Sequence, residues 1–372
     1  MNCLALCPAG LEKVLGNELK KLGYAPEPAG PGRLRFATDM RGVYRALLSL
    51  RTADRLLLEL ARARADGFGP LFDAIVAVPW EDYLPRSVRL KVAKVHVHAS
   101  PMSSVPTAQS VVQKAVYTRL MSAHRLRSMP EDGEEIQLRL SLDGPEASLG
   151  IDLSGASLSR RGYRKRAVEA PLKETVAAAM LLFSGWRRKF PLRDPFCGSG
   201  TIPIEAALYA FDIAPGSRRE DAIRALPFHD EALMARVVEE AKAKVDMERP
   251  CSLSGSDLDP MAVEIAKENA SRAGLEGKIA FSRLAMEKLS LGPGPGLIVA
   301  NPPYGERMGD RESARRLYGA MKGLLDRNPG WAMTVVSDTP AFDADLGVKA
   351  DKVRKFSNGA IDSYFFCFGS LS

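Results

Sequence analysis

The 372-residue chain is poor in the residues that hold metals and disulfides, with five cysteines, at 3, 7, 197, 251 and 367, and four histidines. An odd set of scattered thiols makes no disulfide framework and points to a reducing compartment. Cys3 and Cys7 have no cysteine or histidine nearby to complete a zinc site, and His96 and His98 lack a third ligand, so no metal is expected. No apolar run is long enough to cross a bilayer. No basic leader precedes an apolar stretch at the N-terminus. A cytoplasmic protein is therefore expected. Low-complexity segments and internal repeats are also missing.

What is present is an ordinary globular composition with a basic excess. Lysine and arginine number 52 against 45 acids, a net charge of +7 and a pI near 9.1. That balance favours an anionic partner. The length suits two or three domains with ample core.

Two segments about a hundred residues apart carry the chemistry. In Asp194-Pro195-Phe196-Cys197-Gly198-Ser199-Gly200-Thr201, a strand is expected to end at Asp194, and a helix to begin near Ile202. Gly198 and Gly200 permit tight turns and close approach of backbone to a ligand. This strand, glycine loop and helix open a doubly wound α/β domain. The loop is neither the GxGxxG dinucleotide fingerprint nor a phosphate-binding loop ending in Gly-Lys-Ser/Thr. The next strand, over 251–257, ends on Asp257, followed by Leu258, Asp259 and a helical pattern from Pro260. A carboxylate at that strand end can accept ribose hydroxyls. Asp257 suits that role, and Asp259 suits a helix cap. Cys197 is expected to pack beneath the loop rather than act as a nucleophile.

The second segment is Asn301-Pro302-Pro303-Tyr304, directly after the buried-strand pattern of 296–300. Each proline fixes φ and lacks an N–H, and Asn301 is pushed towards extended geometry. The result is a rigid turn at a strand end, where the Asn301 side-chain oxygen and the Pro302 carbonyl can accept both hydrogens of a planar amine. Tyr304 offers a face for stacking a base, worth ~1–3 kcal/mol. The order of the two segments points to methyl transfer onto nitrogen.

Residues 1–155 carry no such chemistry. The apolar spacing predicts a strand over 1–6, a helix to Gly23, a strand over 33–36, a helical stretch over 43–60 and a helix over 72–79. Residues 88–95 alternate apolar and basic, giving a strand with a cationic face; a helix over 108–122 and strands over 137–142 and 147–153 follow. Lys91, Lys94, Lys114 and Arg119 are candidate phosphate contacts. After a linker at 154–157, Arg160, Arg161, Arg164, Lys165 and Arg166 crowd together around Tyr163. Such a run can follow an RNA backbone while the aromatic stacks, or its arginines can tie the linker to the catalytic domain.

With these residues named, the chain resembles the THUMP-containing class I RNA guanine-N2 methyltransferases, bacterial members acting on 23S ribosomal RNA above all. The segments 194–201 and 301–307 resemble their motifs I and IV. Residues 161–164 with 170–174, 213–216 and 356–359 resemble three further family segments. The resemblance implies a ferredoxin-like domain over 1–65, a THUMP RNA-binding domain over 66–155 and a class I methyltransferase domain over 156–372 with an antiparallel final hairpin. It implies S-adenosylmethionine as cofactor, held by residues 194–201, Asp257 and Leu258, and an RNA partner. Many class I enzymes meet the cofactor adenine with an acid after the third strand; here only Glu287 is available. Guanine-N2 methylation of tRNA, adenine-N6 methylation of DNA or RNA, protein-glutamine methylation, or a non-catalytic role in ribosome assembly are the other readings these motifs allow.

Overall fold

The computed structural model describes residues 1–166, 171–303, 311–359 and 361–371. Two seven-stranded sheets organise them.

The first sheet takes up the N-terminal half. Its elements are β1 (Asn2–Leu6), α1 (Glu12–Lys21), β2 (Glu27–Pro28), β3 (Arg33–Ala37), α2 (Met40–Ser49) and β4 (Arg55–Arg64). They continue with α3 (Phe68–Val76), β5 (Arg89–His98), α4 (Val105–His124), β6 (Glu135–Asp143) and β7 (Glu146–Asp152). The strand order is β2-β3-β1-β4-β7-β6-β5. β4 is the hinge of this sheet, antiparallel to β1 on one side and to β7 on the other. The sheet is therefore continuous across residue 65.

The helical stretch expected over 43–60 is corrected. α2 stops at Ser49, and residues 55–64 are the central strand. Leu56, Leu57 and Leu58 are all buried, so this strand lacks the alternation that marks a half-exposed one. Pairing on both edges overrides the helical propensity of a leucine run. The intervening turn is fixed by the buried Glu18 of α1, whose carboxylate accepts from the backbone N–H of Arg51 (2.6 Å) and Thr52 (3.1 Å). α3 begins four residues before the expected 72.

The second half holds α5 (Glu174–Ser184), β8 (Leu192–Asp194), α6 (Thr201–Ala210), α7 (Glu231–Lys242), β9 (Leu253–Asp257), α8 (Pro260–Arg272) and β10 (Ala280–Arg283). It ends with β11 (Gly296–Ala300), α9 (Arg311–Arg327), β12 (Trp331–Ser337), α10 (Phe342–Leu346), β13 (Lys352–Asn358) and β14 (Ile361–Phe368). The order is β10-β9-β8-β11-β12-β14-β13. β10, β9, β8, β11 and β12 are parallel, and β14 and β13 form an antiparallel hairpin at one edge. Chain progression reverses at β8, whose neighbours are β9 and β11. Ligands of open parallel sheets bind outside the carboxyl ends of the strands at such a reversal. Asp194, Asp257 and Asn301 stand at or just beyond the ends of these three strands.

Candidate active site

A cleft of about 320 Å³ opens at that reversal, lined among others by Asp194, Phe196, Asp257, Leu258, Glu287 and Asn301. Backbone bonds set its floor. Cys197 N–H donates to the Ser256 carbonyl (2.9 Å), and Gly200 N–H to the Cys197 carbonyl (2.7 Å). Gly198 N–H donates to the Asp257 carboxylate (2.9 Å), fastening the first loop to the second. Gly200 has φ +83°, and a Cβ there would lie 3.0 Å from the Ala266 Cβ. A Cβ on Gly255 would stand 2.8 Å from that of Cys197. These distances show why the loop is glycine-rich and why Cys197 is buried beneath it. Burial pushes the Cys197 thiol far up, which leaves it without nucleophilic character.

Asp257 and Asp259 divide their work. Asp259 accepts from Met261 N–H (2.9 Å) and caps α8, while Asp257 accepts from Asp259 N–H (3.0 Å) and borders the cleft. Leu258, between them, is 65% exposed and forms an apolar shelf of the cleft. Glu287 lines the far wall from a short turn, 286–288.

Asp194 is 2% exposed. One carboxylate oxygen accepts from Phe196 N–H (3.0 Å), and the other is buried without a partner among the described residues. Burial raises its carboxyl to about 8; the Phe196 N–H opposes this and the Asp257 charge adds to it. Asn301 repeats the pattern, its side-chain oxygen buried and without a partner among the described residues. Pro302 is buried and Pro303 half-buried. Tyr304 lies outside the described residues. A buried acceptor without a donor is costly, by ~1–3 kcal/mol, and two lining one cleft mark a place prepared for donors.

Two loop fasteners were not identified from the sequence. Asn269 of α8, fully buried, donates from Nδ2 to the Ser199 carbonyl (3.0 Å). The only signal for it is an asparagine on the apolar stripe of a helix. Arg164 donates from Nη2 to Thr201 Oγ1 (2.7 Å) and to the Leu172 carbonyl (2.9 Å), and pairs with Glu174 (3.4 Å).

The basic run after the linker is accordingly corrected. Arg161 and Tyr163 are each 1% exposed and point inward. Arg161 pairs with Glu205 of α6 (3.4 Å), Tyr163 OH donates to the same carboxylate (3.2 Å), and Arg161 also donates to the carbonyls of Leu158 and Arg51. Arg161 and Tyr163 have no face for RNA, and with the half-buried Arg164 they tie the linker to the catalytic domain. Arg160, Lys165 and Arg166 are exposed, Arg166 with a 3.3 Å pair to Glu268. On the N-terminal sheet Lys91, Lys94 and Lys114 are exposed or half-exposed, Lys91 standing 3.6 Å from Glu135. Arg119 is instead held in a two-pronged pair by Glu81.

The cleft fits a cationic, hydroxyl-bearing ligand: three carboxylates line it, two buried acceptors lack donors, and glycines allow close approach. On a doubly wound sheet with an antiparallel closing hairpin, these features define a class I S-adenosylmethionine-dependent methyltransferase. Residues 161–365 match the RMKL-like methyltransferase domain and residues 2–57 the RlmL ferredoxin-like domain, and the chain belongs to this family. It is 35% identical to a Bacillus subtilis protein named "Putative RNA methyltransferase YpsC", over 99% of this chain and 95% of that one. It is 36% identical to the ribosomal RNA large subunit methyltransferase K/L of Syntrophotalea carbinolica, over 96% of this chain and 52% of that one. The chain thus spans about half the length of that K/L relative. Among solved structures it is similar to SMU.472, described as "a putative methyltransferase complexed with SAH", with a TM-score of 0.91, 35% identity and coverage of 99% and 98% of the two chains.

Proposed function

We propose that this chain methylates the exocyclic N2 amine of a guanine in RNA, with large-subunit ribosomal RNA as substrate. The observation that carries the reading is the buried, unpartnered side-chain oxygen of Asn301 in the cofactor cleft. S-adenosylmethionine, when bound, supplies an electrophilic methyl group. Asp257 suits the ribose hydroxyls and Glu287 the adenine, with Leu258 against its ring. Asn301 and Pro302 accept the two amine hydrogens and aim the nitrogen lone pair into the cleft; Tyr304 stacks on the flipped base. Holding the amine in line supplies catalysis by orientation, so no side chain need be a strong base. The N-terminal half, residues 1–155 on their single sheet, docks the RNA, with Lys91 and Lys94 on phosphates, and Arg160, Lys165 and Arg166 of the linker extend that contact. The K/L relative's name supports ribosomal RNA over other substrates.

Asn301→Ala tests this. Methyl transfer to large-subunit ribosomal RNA is expected to fall by about a hundredfold or more, while affinity for the cofactor and for the RNA stays within a fewfold of the parent. Undiminished methyl transfer would remove Asn301 from the mechanism.

A further inference from the structure

A second cleft, of about 1110 Å³, lies between the two halves of the molecule and is larger than the cofactor cleft. Its walls come from α1, the ends of α5 and α6, the region after α7, and the start of β13. Thr201 at one end of α6 borders the cofactor cleft, and Tyr209 near the other end borders this one. Eight residues of helix separate them, about 12 Å along the axis.

The lining is strongly cationic. Lys13, Lys20, Lys21, Lys244, Lys352 and Arg354 line the cleft and pair with no carboxylate among the described residues. The three lining acids are already engaged. Glu18 accepts from the 51–52 turn, Asp212 is shared by Arg188 (2.6 Å) and Arg249 (2.8 Å), and Asp351 accepts from Gly369 N–H (2.7 Å). Arg51 and Arg188 stand over the ring of Tyr209, at 5.5 Å and 4.4 Å from its centroid. The Arg51 Nη1 is buried with no acceptor among the described residues. Apolar floor is supplied by Leu182, Phe183 and Val353, the last 48% exposed.

We infer that this interdomain cleft is a second RNA-docking surface, taking a stretch of phosphate backbone remote from the methylated base. The inference rests on the RNA reading above. Its cations are spread along the walls and do not converge on one point. Lys13 and Lys20 alone are about 10 Å apart along α1. At about 1110 Å³ the cleft also stands at the top of the ~300–1,000 Å³ usual for small-ligand pockets, with room for an extended ligand. A polymer of phosphates matches both features, and an aromatic and apolar floor suits unstacked bases. Because both halves of the molecule line it, the bound strand would span their junction.

The test uses the full-length protein and in vitro transcribed large-subunit ribosomal RNA. The variant Lys20→Gln/Lys21→Gln/Lys352→Gln/Arg354→Gln alters exposed or half-exposed side chains away from the cofactor cleft. Its RNA Kd is expected to rise about tenfold or more near 0.1 M salt, and its salt slope to fall by about 0.7 for each phosphate no longer neutralised. KM for RNA should rise in step, with cofactor affinity and Tm unchanged. A second variant, Lys13→Gln/Lys244→Gln, should give a smaller effect in the same direction and guards against misfolding of the first. Unchanged RNA affinity and slope in both variants would overturn the inference. So would a cleft that takes a compact polyphosphate instead, seen as ATP binding that the variants abolish while RNA affinity holds. If the parent protein itself bound no RNA, the RNA reading would fall as well, and the parent arm alone would reveal it.

Discussion

Asp194 makes the sharpest prediction at the scale of the residue. Its carboxyl, raised by burial to about 8, is protonated in the free protein at neutral pH. In the unfolded chain it titrates near its ordinary value of about 3.9. The folded state therefore holds this proton more tightly, and the resulting stability is complete below about pH 4 and lost as pH rises towards 8. A cation bound in the cleft reverses the preference, because it favours the ionised carboxylate. Affinity for S-adenosylmethionine should accordingly rise with pH up to about 8, with proton release measurable by titration calorimetry in buffers of different ionisation enthalpy. Asp194→Asn should bind the cofactor more weakly and without that pH dependence; an unaltered pH profile would remove Asp194 from cofactor binding. Gly200→Ala faces both a positive φ and a Cβ 3.0 Å from Ala266. A loss of about 1–3 kcal/mol in denaturant unfolding is expected, together with weakened cofactor affinity.

At the scale of elements, α6 is held by the linker through a buried ion pair. Arg161 and Glu205 are both about 1% exposed, and removing one partner leaves the other charge buried. Arg161→Ala should therefore cost about 3–5 kcal/mol of stability, read by denaturant unfolding, while the folded fraction binds RNA as the parent does. A selective loss of RNA affinity at unchanged stability would restore Arg161 to the RNA surface. This is also where the sequence misled. An arginine-rich run looks the same whether it faces RNA or a carboxylate, and here the carboxylate lies forty-four residues further on, in a helix that folding brings alongside. The leucines of β4 misled for a related reason, since a strand buried on both faces carries no period of two. The glycine loop and the extended entry into the prolines at 302 and 303 were the local part of the reading. Prolines fix φ and glycines permit positive φ wherever the chain is placed. The capping of α8 by Asp259 was legible for the same reason, since capping is a short-range property. The bonds from Asn269 and Arg164 to the loop were not legible, because each depends on the meeting of distant segments.

At the scale of the whole molecule, the two halves share their interior. One cluster of buried apolar side chains runs from Cys3 in β1 to Phe365 in β14. Backbone bonds cross the junction as well, from Gly216 N–H to the Leu48 carbonyl (2.9 Å) and from Ser357 N–H to the Ala9 carbonyl (2.8 Å). Arg51 of the N-terminal half donates to the Ile213 carbonyl (2.8 Å), and Arg219 to the Leu47 carbonyl (2.6 Å). Calorimetry of the intact chain should therefore show one cooperative transition; two resolved transitions would mean that the halves unfold independently. In the proposed reading, this shared interior sets the distance between the RNA-docking surfaces and the cofactor cleft, so substrate choice becomes a matter of RNA shape as well as of the base presented.

The most direct measurement of the central claim is nucleoside mass spectrometry of large-subunit ribosomal RNA and transfer RNA, digested separately, from cells with and without the gene. Loss of N2-methylguanosine from the large-subunit fraction, restored by the intact gene but not by Asn301→Ala, is the predicted result. N2-methylguanosine unchanged in that fraction would contradict the account, and a simultaneous loss of N6-methyladenosine would move the amine grip to adenine.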